Sequence, residues 1–275
     1  MYDPTNSLSH LHTRQRIPLA SFLLGVRAGL TNNTMLTMKT KNKMKATYKN
    51  DAAFKAMFVA ETIKHRKADE LIKGTYEQGG NGAFKGCAVG CAIETINNQL
   101  GKSHDNSDHS VLEEESLYPE WLAHLQDTIF EGLEESLSQT WPERFSKAIP
   151  VGVEFTDLDK VKYQFCIYLL KENIKTVKSL DISDSLRTEV IDSIRQVVKV
   201  HENALSTGEW DGSAAQSAAE SARSATESAA RYAARYAAES AESAAYKRYS
   251  NKLLTLLKDS EVSSYLPAEG IITTL

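Results

Sequence analysis

A Ser-Ala-Ala-x repeat near the end of the chain constrains its fold more than any other feature. Over residues 213–257, alanine dominates and a serine or tyrosine recurs close to every fourth position. Alanine is the best helix former, so this stretch predicts a long helix. Fully helical, it would extend on the order of 65 Å at 1.5 Å per residue, more than the width of a small domain. The helix must therefore project, pair with another helix or break.

Helical periodicity covers most of the sequence between residue 50 and the repeat. The predicted helices are residues 50–73, residues 87–101, a helix beginning at Pro119, a short helix beginning at Trp141-Pro142, residues 157–177 and residues 183–205. Only residues 151–155 and 270–275 are ambiguous between strand and loop. The sequence predicts an all-α, mainly helical fold with minor or no strand content. A compact helical core would carry a long Ala-rich C-terminal helix.

Composition divides the chain into three regions. Residues 1–49 carry one acidic residue, Asp3, against three arginines and five lysines. They are predicted to be a disordered basic extension or an over-long start, with a targeting segment as the alternative. Residues 50–207 are predicted to form the helical core domain. Residues 208–275 would provide a linker, the repeat helix and a tail.

Charge and cysteine content restrict the class of protein. The net charge of −4 argues against general nucleic-acid binding, which needs a basic face. Three cysteines are too few for a disulfide framework and fit a reducing compartment. No apolar run approaches the roughly 20 residues that cross a bilayer. We expect a cytoplasmic protein with no membrane partner.

The segment Gly86-Cys-Ala-Val-Gly-Cys91 is the best candidate for chemistry. Both cysteines fall on the helix face opposite the apolar side chains, which predicts that they are solvent-accessible. A Gly-rich loop at residues 74–86 precedes them, and its backbone N–H groups could form a nest for an anion. The predicted ligand-binding residues are Gly82, Lys85, Gly86, Cys87, Cys91, Glu61, Asp69 and Asp108. The leading hypothesis is a binding or interaction protein. Its partner would be a small ligand, with an anion favoured by the nest, or another protein.

Catalysis is the first alternative, and the sequence leaves open whether the chain is an enzyme. Cys87 in the first turn of a helix would be favoured as a thiolate by the helix dipole. A cysteine-dependent hydrolase or transferase would use Cys87 as nucleophile and His109 or His65 as base. His65 also shares a helix face with Glu61, which suits a buried structural pair equally well.

Three further alternatives give this chain no catalytic role. Gly86 and Gly90 could serve only to let another backbone approach the helix closely. A zinc ion could be held by Cys87 and Cys91 with His104 or His109, but the paired spacing of common zinc sites is absent, so no metal or cofactor is expected. The Ala-rich helix could instead drive homo-oligomers.

Two other predictions concern helix faces. In the helix that follows Pro119, the polar side chains of His124, Asp127 and Glu131 are expected to face solvent. Cys166 lies in a helix that is apolar almost all round and is expected to fill the core.

Several short motifs resemble a family of uncharacterised bacterial and phage proteins. They are His65-Arg66 with Asp69, Gly86-Cys-Ala-Val-Gly-Cys91, Asp108-His109, Pro119-Glu-Trp-Leu-Ala, Ile129-Phe-Glu-Gly-Leu133, Trp141-Pro142, Ala148-Ile-Pro-Val-Gly152 and the Ser/Ala repeat. The resemblance covers about residues 50–246 and brings no known activity. It implies a phage or prophage accessory role in host–virus interaction.

Overall fold

The computed structural model describes residues 45–80, 83–214, 216–218 and 239–260. The all-α prediction is confirmed, because 72% of the interpretable residues are helical. The elements, in chain order, are α1 (Ala52–Lys67), β1 (Gln78–Gly80), β2 (Ala83–Lys85), α2 (Ala88–Leu100), α3 (Ser110–Glu114), α4 (Glu120–Gly132), α5 (Glu135–Ser138), α6 (Trp141–Ala148), α7 (Phe155–Ser179), α8 (Asp184–Thr207) and α9 (Glu239–Lys258).

Helix α1 begins two residues after the predicted start at residue 50 and ends earlier than predicted. The Asp51 side chain caps it by accepting hydrogen bonds from the backbone N–H groups of Ala53 and Phe54, at 2.7 and 3.0 Å. The predicted continuation to residue 73 is wrong, because Asp69 adopts a left-handed conformation with φ of 57°. The chain after Asp69 is instead held by Gly86, whose N–H donates to the Glu70 carbonyl at 2.9 Å.

The Gly-rich loop contains a small hairpin that the sequence analysis did not predict. Strands β1 and β2 pair antiparallel, with Gln78 opposite Lys85. Gly74 has φ of +82°, a left-handed conformation that glycine adopts without steric strain because it lacks a Cβ. Residues 81–82, and with them the predicted site residue Gly82, lie outside the described part.

The main core lies among α2, α4, α6, the first part of α7 and α9. Its largest fully buried side chains include Trp141, Tyr48, Tyr118, Phe58, Phe130, Phe145 and Phe165. The Tyr48 hydroxyl donates to the Ser146 carbonyl at 2.9 Å. The packed core therefore starts before residue 50, and residues 45–49 do not belong to a disordered extension. The prediction for residues 1–44 lies outside the described residues.

A second apolar cluster forms between the later part of α7 and α8. Its buried members are Leu170, Val177, Val190, Ile191, Ile194 and Val198. Helix α8 has the predicted amphipathic character. Ser183 caps its first turn, and Gly208 ends it in a left-handed conformation with φ of 74°.

The end of the predicted Ala-rich helix packs on the main core. Tyr246, Leu253, Leu254 and Leu257 of α9 are buried with the side chains of the other helices. Gly132 at the end of α4 lies against the Tyr246 ring, since a Cβ built there would be 2.4 Å from ring carbons. Residues 212–214 and 216–218 are also helical, but the middle of the repeat lies outside the described residues.

Within the described ranges, no helix is both long enough and apolar enough to cross a bilayer.

Candidate functional site

Two glycines fix the position of Cys87 at the start of α2. A Cβ built on Gly86 would lie 2.3 Å from the Tyr76 carbonyl oxygen, and one on Gly90 would lie 1.9 Å from it. The loop backbone can therefore cross the helix only where there are no side chains. The Cys87 N–H also donates to the Thr75 carbonyl at 2.7 Å. Close backbone packing, one of the alternatives from the sequence, accounts for both glycines.

The crossing loop buries both cysteines of the motif. Cys87 is 0% exposed and Cys91 is 3% exposed, so the prediction that they face solvent is wrong. Periodicity identified the face of α2 correctly but could not indicate that residues 70–77 would cover it. The Cys91 thiol donates to the carbonyl oxygens of Gly86 at 3.5 Å and Glu70 at 3.9 Å. Cys91 therefore contributes to the attachment of the loop.

The neighbours of Cys87 are carboxylates of α4. Its Sγ and one carboxylate oxygen each of Asp127 and Glu131 all lie within 4.8 Å of one another. We call these three residues the thiol–carboxylate cluster. Burial, and after it the negative charge of Asp127, raises the pKa of the Cys87 thiol well above its ordinary value, although the Gly90 N–H at 3.5 Å has the opposite effect. The site therefore favours a neutral thiol, which is a poor nucleophile.

Asp127 and Glu131 were not predicted to be site residues. Both were expected in solvent, yet the Asp127 residue is 7% exposed and Glu131 is half-buried. His124, Asp127 and Glu131 are spaced by three and four residues, which places them on one face of a helix. That spacing was the available signal. The elements that cover this face are the loop before α2 and the start of α3, which are distant in sequence.

Three N–H groups at the two ends of the Gly-rich loop are occupied by the protein itself. The Gly74 N–H donates to both oxygens of Glu131, at 3.0 and 3.1 Å. Gly86 and Cys87 donate to the backbone carbonyls of Glu70 and Thr75. These three N–H groups are therefore already bonded within the protein, and the one at Gly74 binds a carboxylate of α4.

His109 completes the surroundings of the cluster. Its Nδ1 lies 3.1 Å from the Ser107 carbonyl oxygen, and its Nε2 lies 3.4 Å from Asp127 Oδ2. The ring stacks on His124 with a centroid distance of 4.0 Å and meets the Tyr76 ring edge-on at 5.4 Å. Burial, and then the neighbouring His109, lower the pKa of His124. The predicted base therefore faces Asp127.

His65 belongs to a different set of contacts. Its Nδ1 lies 2.5 Å from Glu70 Oε2 and its Nε2 lies 2.9 Å from Thr95 Oγ1. The Thr95 hydroxyl donates its proton to the Cys91 carbonyl, so Nε2–H donates to Thr95. His65 ties α1 and the following loop to α2. The expected structural pairing of His65 is present, but its partner is Glu70, while Glu61 pairs with Lys64.

The remaining predicted site residues make other contacts. Asp69 is exposed and pairs with Lys85 at 3.5 Å. The Asp108 carboxylate accepts hydrogen bonds from the backbone N–H and the hydroxyl of Ser110, at 3.0 and 2.7 Å. His104 pairs with Glu115 at 3.3 Å. Cys166 is buried, as expected for a core residue. None of these contacts involves Cys87.

Comparisons of the chain with models of protein families, with curated proteins and with solved structures find no match. The function of the site is therefore argued from its own chemistry.

Proposed function

We propose that this protein binds a metal ion and holds one divalent cation at the thiol–carboxylate cluster of Cys87, Asp127 and Glu131. The observation that carries the proposal is the mutual distance of the three ligand atoms, 4.8 Å or less. Around a tetrahedral ion, sulfur and oxygen ligands lie about 3.6 Å apart, given metal–ligand distances near 2.3 and 2.1 Å. Side-chain movements of about 1 Å would bring the three atoms to that spacing.

The charge of the site supports a cation rather than an anion. Two carboxylates lie beside the thiol, and both raise its pKa. A bound dication reverses this effect, because it stabilises the thiolate and the carboxylates together. The proposal therefore departs from the sequence predictions, which were a small ligand, anionic by preference, and no metal ion.

The helix that carries both carboxylates is held rigidly, which favours a defined metal geometry. The Trp141 Nε1–H donates to the Gln126 carbonyl at 3.1 Å. The Tyr118 hydroxyl donates to Gln126 Oε1 at 2.6 Å. Gln126 directly precedes Asp127, so these bonds restrict the position of that carboxylate.

The other hypotheses from the sequence stay predictions. A nucleophilic Cys87 receives less support than a metal ligand, because the thiol is buried and its pKa is raised. Nothing in the described residues bears on an oligomer through the repeat, on a cytoplasmic location or on a phage-related role.

The proposal is tested by calorimetric titration of the chelator-treated full chain with Zn²⁺, Mn²⁺, Mg²⁺ and Ca²⁺. At least one of these ions should bind in a 1:1 ratio. Asp127→Asn and Glu131→Gln should each weaken that binding by about tenfold or more, since each removes a charged ligand.

Asp159→Asn is the matched control, because Asp159 is a partly buried aspartate on a helix outside the site. Its metal affinity should equal that of the wild type. Circular dichroism of each apo variant separates loss of a ligand from loss of the fold. Absence of binding by the folded wild type, or equal affinity in all three variants, would overturn the proposal.

A further inference from the structure

Three helices of the main core, α1, α6 and α9, carry an excess of positive charge. Their sequences contain ten lysines and arginines and four acidic residues. Residues 103–142, by contrast, contain ten acidic residues and no lysine or arginine. The net charge of −4 is therefore the sum of regions of opposite sign, and it does not describe the charge that these three helices present.

Contacts between side chains join the three helices into one surface. Helix α6 packs against both α1 and α9. Towards α1, Glu143 Oε2 of α6 pairs with Arg66 Nη2 at 2.8 Å. Towards α9, Arg144 Nη2 of α6 donates to Asn251 Oδ1 at 2.9 Å. The charged side chains of α6 are therefore flanked by those of α1 on one side and by those of α9 on the other.

Further cations lie beside these contacts. Lys147 Nζ pairs with Glu143 Oε1 at 2.6 Å, four residues along α6. Lys247 and Arg248 precede Asn251 by four and three residues, so they share its face of α9. The name basic face is used below for six residues: Arg66, Lys67, Arg144, Lys147, Lys247 and Arg248.

The cations of the basic face are more exposed than the carboxylate that they share. The side chains of Lys147 and Arg248 are 55% and 54% exposed, whereas that of Glu143 is 19% exposed. The hydrogen bond from Lys147, and with it the charges of Arg66 and Lys67, lowers the pKa of Glu143, although burial has the opposite effect. One carboxylate thus balances three cations, and the surface keeps a positive charge.

Compensation of helix dipoles accounts for only part of this arrangement. Cations in the last turn of a helix are stabilised by its dipole, which is a sufficient reason for Arg66 and Lys67 at the end of α1. Lys247 and Arg248 lie near the middle of α9, where that effect is absent. A bound polyanion accounts for both pairs together.

We propose that the basic face binds the phosphate backbone of a nucleic-acid duplex without sequence preference. Axes of packed helices lie about 8–10 Å apart, so the face extends about 16–20 Å across α1, α6 and α9. A duplex carries one negative charge per about 1.7 Å of its axis, so this length presents about ten phosphates. The cations of the face can contact several of them at once.

The apolar side chains of the three helices favour a duplex over other anionic surfaces. None of the phenylalanine, tyrosine and tryptophan side chains described on α1, α6 and α9 is exposed. Binding of single strands uses aromatic side chains on which bases stack, and binding to a bilayer surface uses apolar side chains that insert. Contacts with duplex phosphates need neither. The prediction against general nucleic-acid binding rested on the net charge of the whole chain, and the proposal revises it for this face.

Fluorescence anisotropy of the full chain with a labelled DNA duplex of about 20 base pairs tests the proposal. A chelator is present throughout, so that the result does not depend on the proposed metal site. Contacts with four to six phosphates predict that the logarithm of the association constant falls with the logarithm of the salt concentration with a slope of about −3.6 to −5.4. The affinity should therefore fall by about 10²-fold to 10³-fold between about 50 and 200 mM salt. Binding of an RNA duplex in place of DNA also supports the proposal, and the tighter duplex identifies the source of the phosphates.

Lys247→Gln removes one cation of the basic face at an exposed position. It should weaken duplex binding by about fivefold to tenfold at about 0.1 M salt and make the slope shallower by about 0.9. Lys199→Gln is the matched control, because Lys199 is an exposed lysine of α8 outside the basic face and the variant has the same net charge. Its affinity and slope should equal those of the wild type. Circular dichroism checks that both variants are folded.

Two further polyanions separate the proposal from its alternatives. A single strand of the same length and polyglutamate of the same charge should each bind more weakly than the duplex. Stronger binding of polyglutamate would indicate an acidic protein as the partner and would overturn the proposal, as would stronger binding of the single strand. Absence of duplex binding by the folded wild type at about 50 mM salt, or equal slopes for Lys247→Gln and Lys199→Gln, would overturn it as well.

Discussion

His201, near the end of α8, is a buried imidazole outside the candidate site. Its ring lies 5.1 Å from that of Trp210 and 6.1 Å from that of Tyr163, and these two rings are themselves stacked. Burial, and after it the positive charge of Lys162, lowers the pKa of His201 to about 4 from an ordinary value of 6.5. The folded protein thus holds His201 neutral in a range where an exposed histidine would be charged.

This shift gives a pH dependence of defined sign. Between about pH 6.5 and pH 4 the unfolded chain binds a proton at residue 201 that the folded chain does not. The contribution of His201 to the free energy of unfolding is therefore complete above pH 6.5 and is lost as the pH falls towards 4. The loss should be about 3 kcal/mol at most, at 1.36 kcal/mol per pKa unit. Urea denaturation of the wild type and of His201→Gln at pH 7 and pH 4 measures it.

The wild type should lose more stability on acidification than His201→Gln does, since the variant has no group that titrates at that position. Other histidines and carboxylates contribute equally to both proteins and cancel in the comparison. Identical losses in the two proteins would show that burial and Lys162 do not lower the pKa of His201.

At the residue scale, the sequence identified one member of the candidate site and missed its partners. Cys87 was found because its motif combines glycines and cysteines at the start of a helix. Asp127 was assigned to solvent because helical periodicity describes faces within one element. Which face another segment covers depends on contacts between positions far apart in the sequence, and helical periodicity carries no information about such contacts.

At the element scale, α2 depends on the backbone that crosses its first turn. Gly90→Ala should destabilise the fold by about 1–3 kcal/mol, because its Cβ would lie 1.9 Å from the Tyr76 carbonyl oxygen and force the loop away. The same displacement would move Cys87 relative to Asp127 and weaken metal binding. Thermal denaturation of the apo protein and calorimetric titration check the two effects separately.

Gly212→Ala is the control for this substitution. A Cβ at Gly212 has no heavy atom within 4 Å, and that residue has no positive φ. The Gly212→Ala protein should be as stable as the wild type or slightly more stable, because alanine reduces the conformational entropy of the unfolded chain. A Gly90→Ala protein as stable as Gly212→Ala would mean that the loop does not depend on the absence of a side chain there.

The element boundaries show what local signals can establish. Asp51, Ser183, Gly101 and Gly208 mark helix ends in the structure as capping rules indicate. Residues 68–73 had been predicted to continue α1, and they do not. Their conformation is set by pairing of Leu71 with Gly86 and by the Gly74–Glu131 hydrogen bonds, all of which join distant parts of the sequence.

At the scale of the whole molecule, the candidate site lies within the larger of two apolar clusters. Helix α7 contributes its first part to this main core and its later part to the cluster with α8. Helix α9 closes the main core against α4, α6 and α7. Its Tyr246 packs on Gly132 at the end of the helix that carries both carboxylates. The position of Asp127 and Glu131 therefore depends on a segment more than 100 residues further along the chain.

The most direct test of the proposed metal site is a crystal structure of the full chain grown with Zn²⁺, with anomalous data collected on both sides of the zinc absorption edge. A peak is expected about 2.3 Å from Cys87 Sγ and about 2.0–2.2 Å from a carboxylate oxygen of Asp127. A cluster that stays empty at saturating Zn²⁺, and at saturating concentrations of every other ion that binds in the titration, would contradict the proposal.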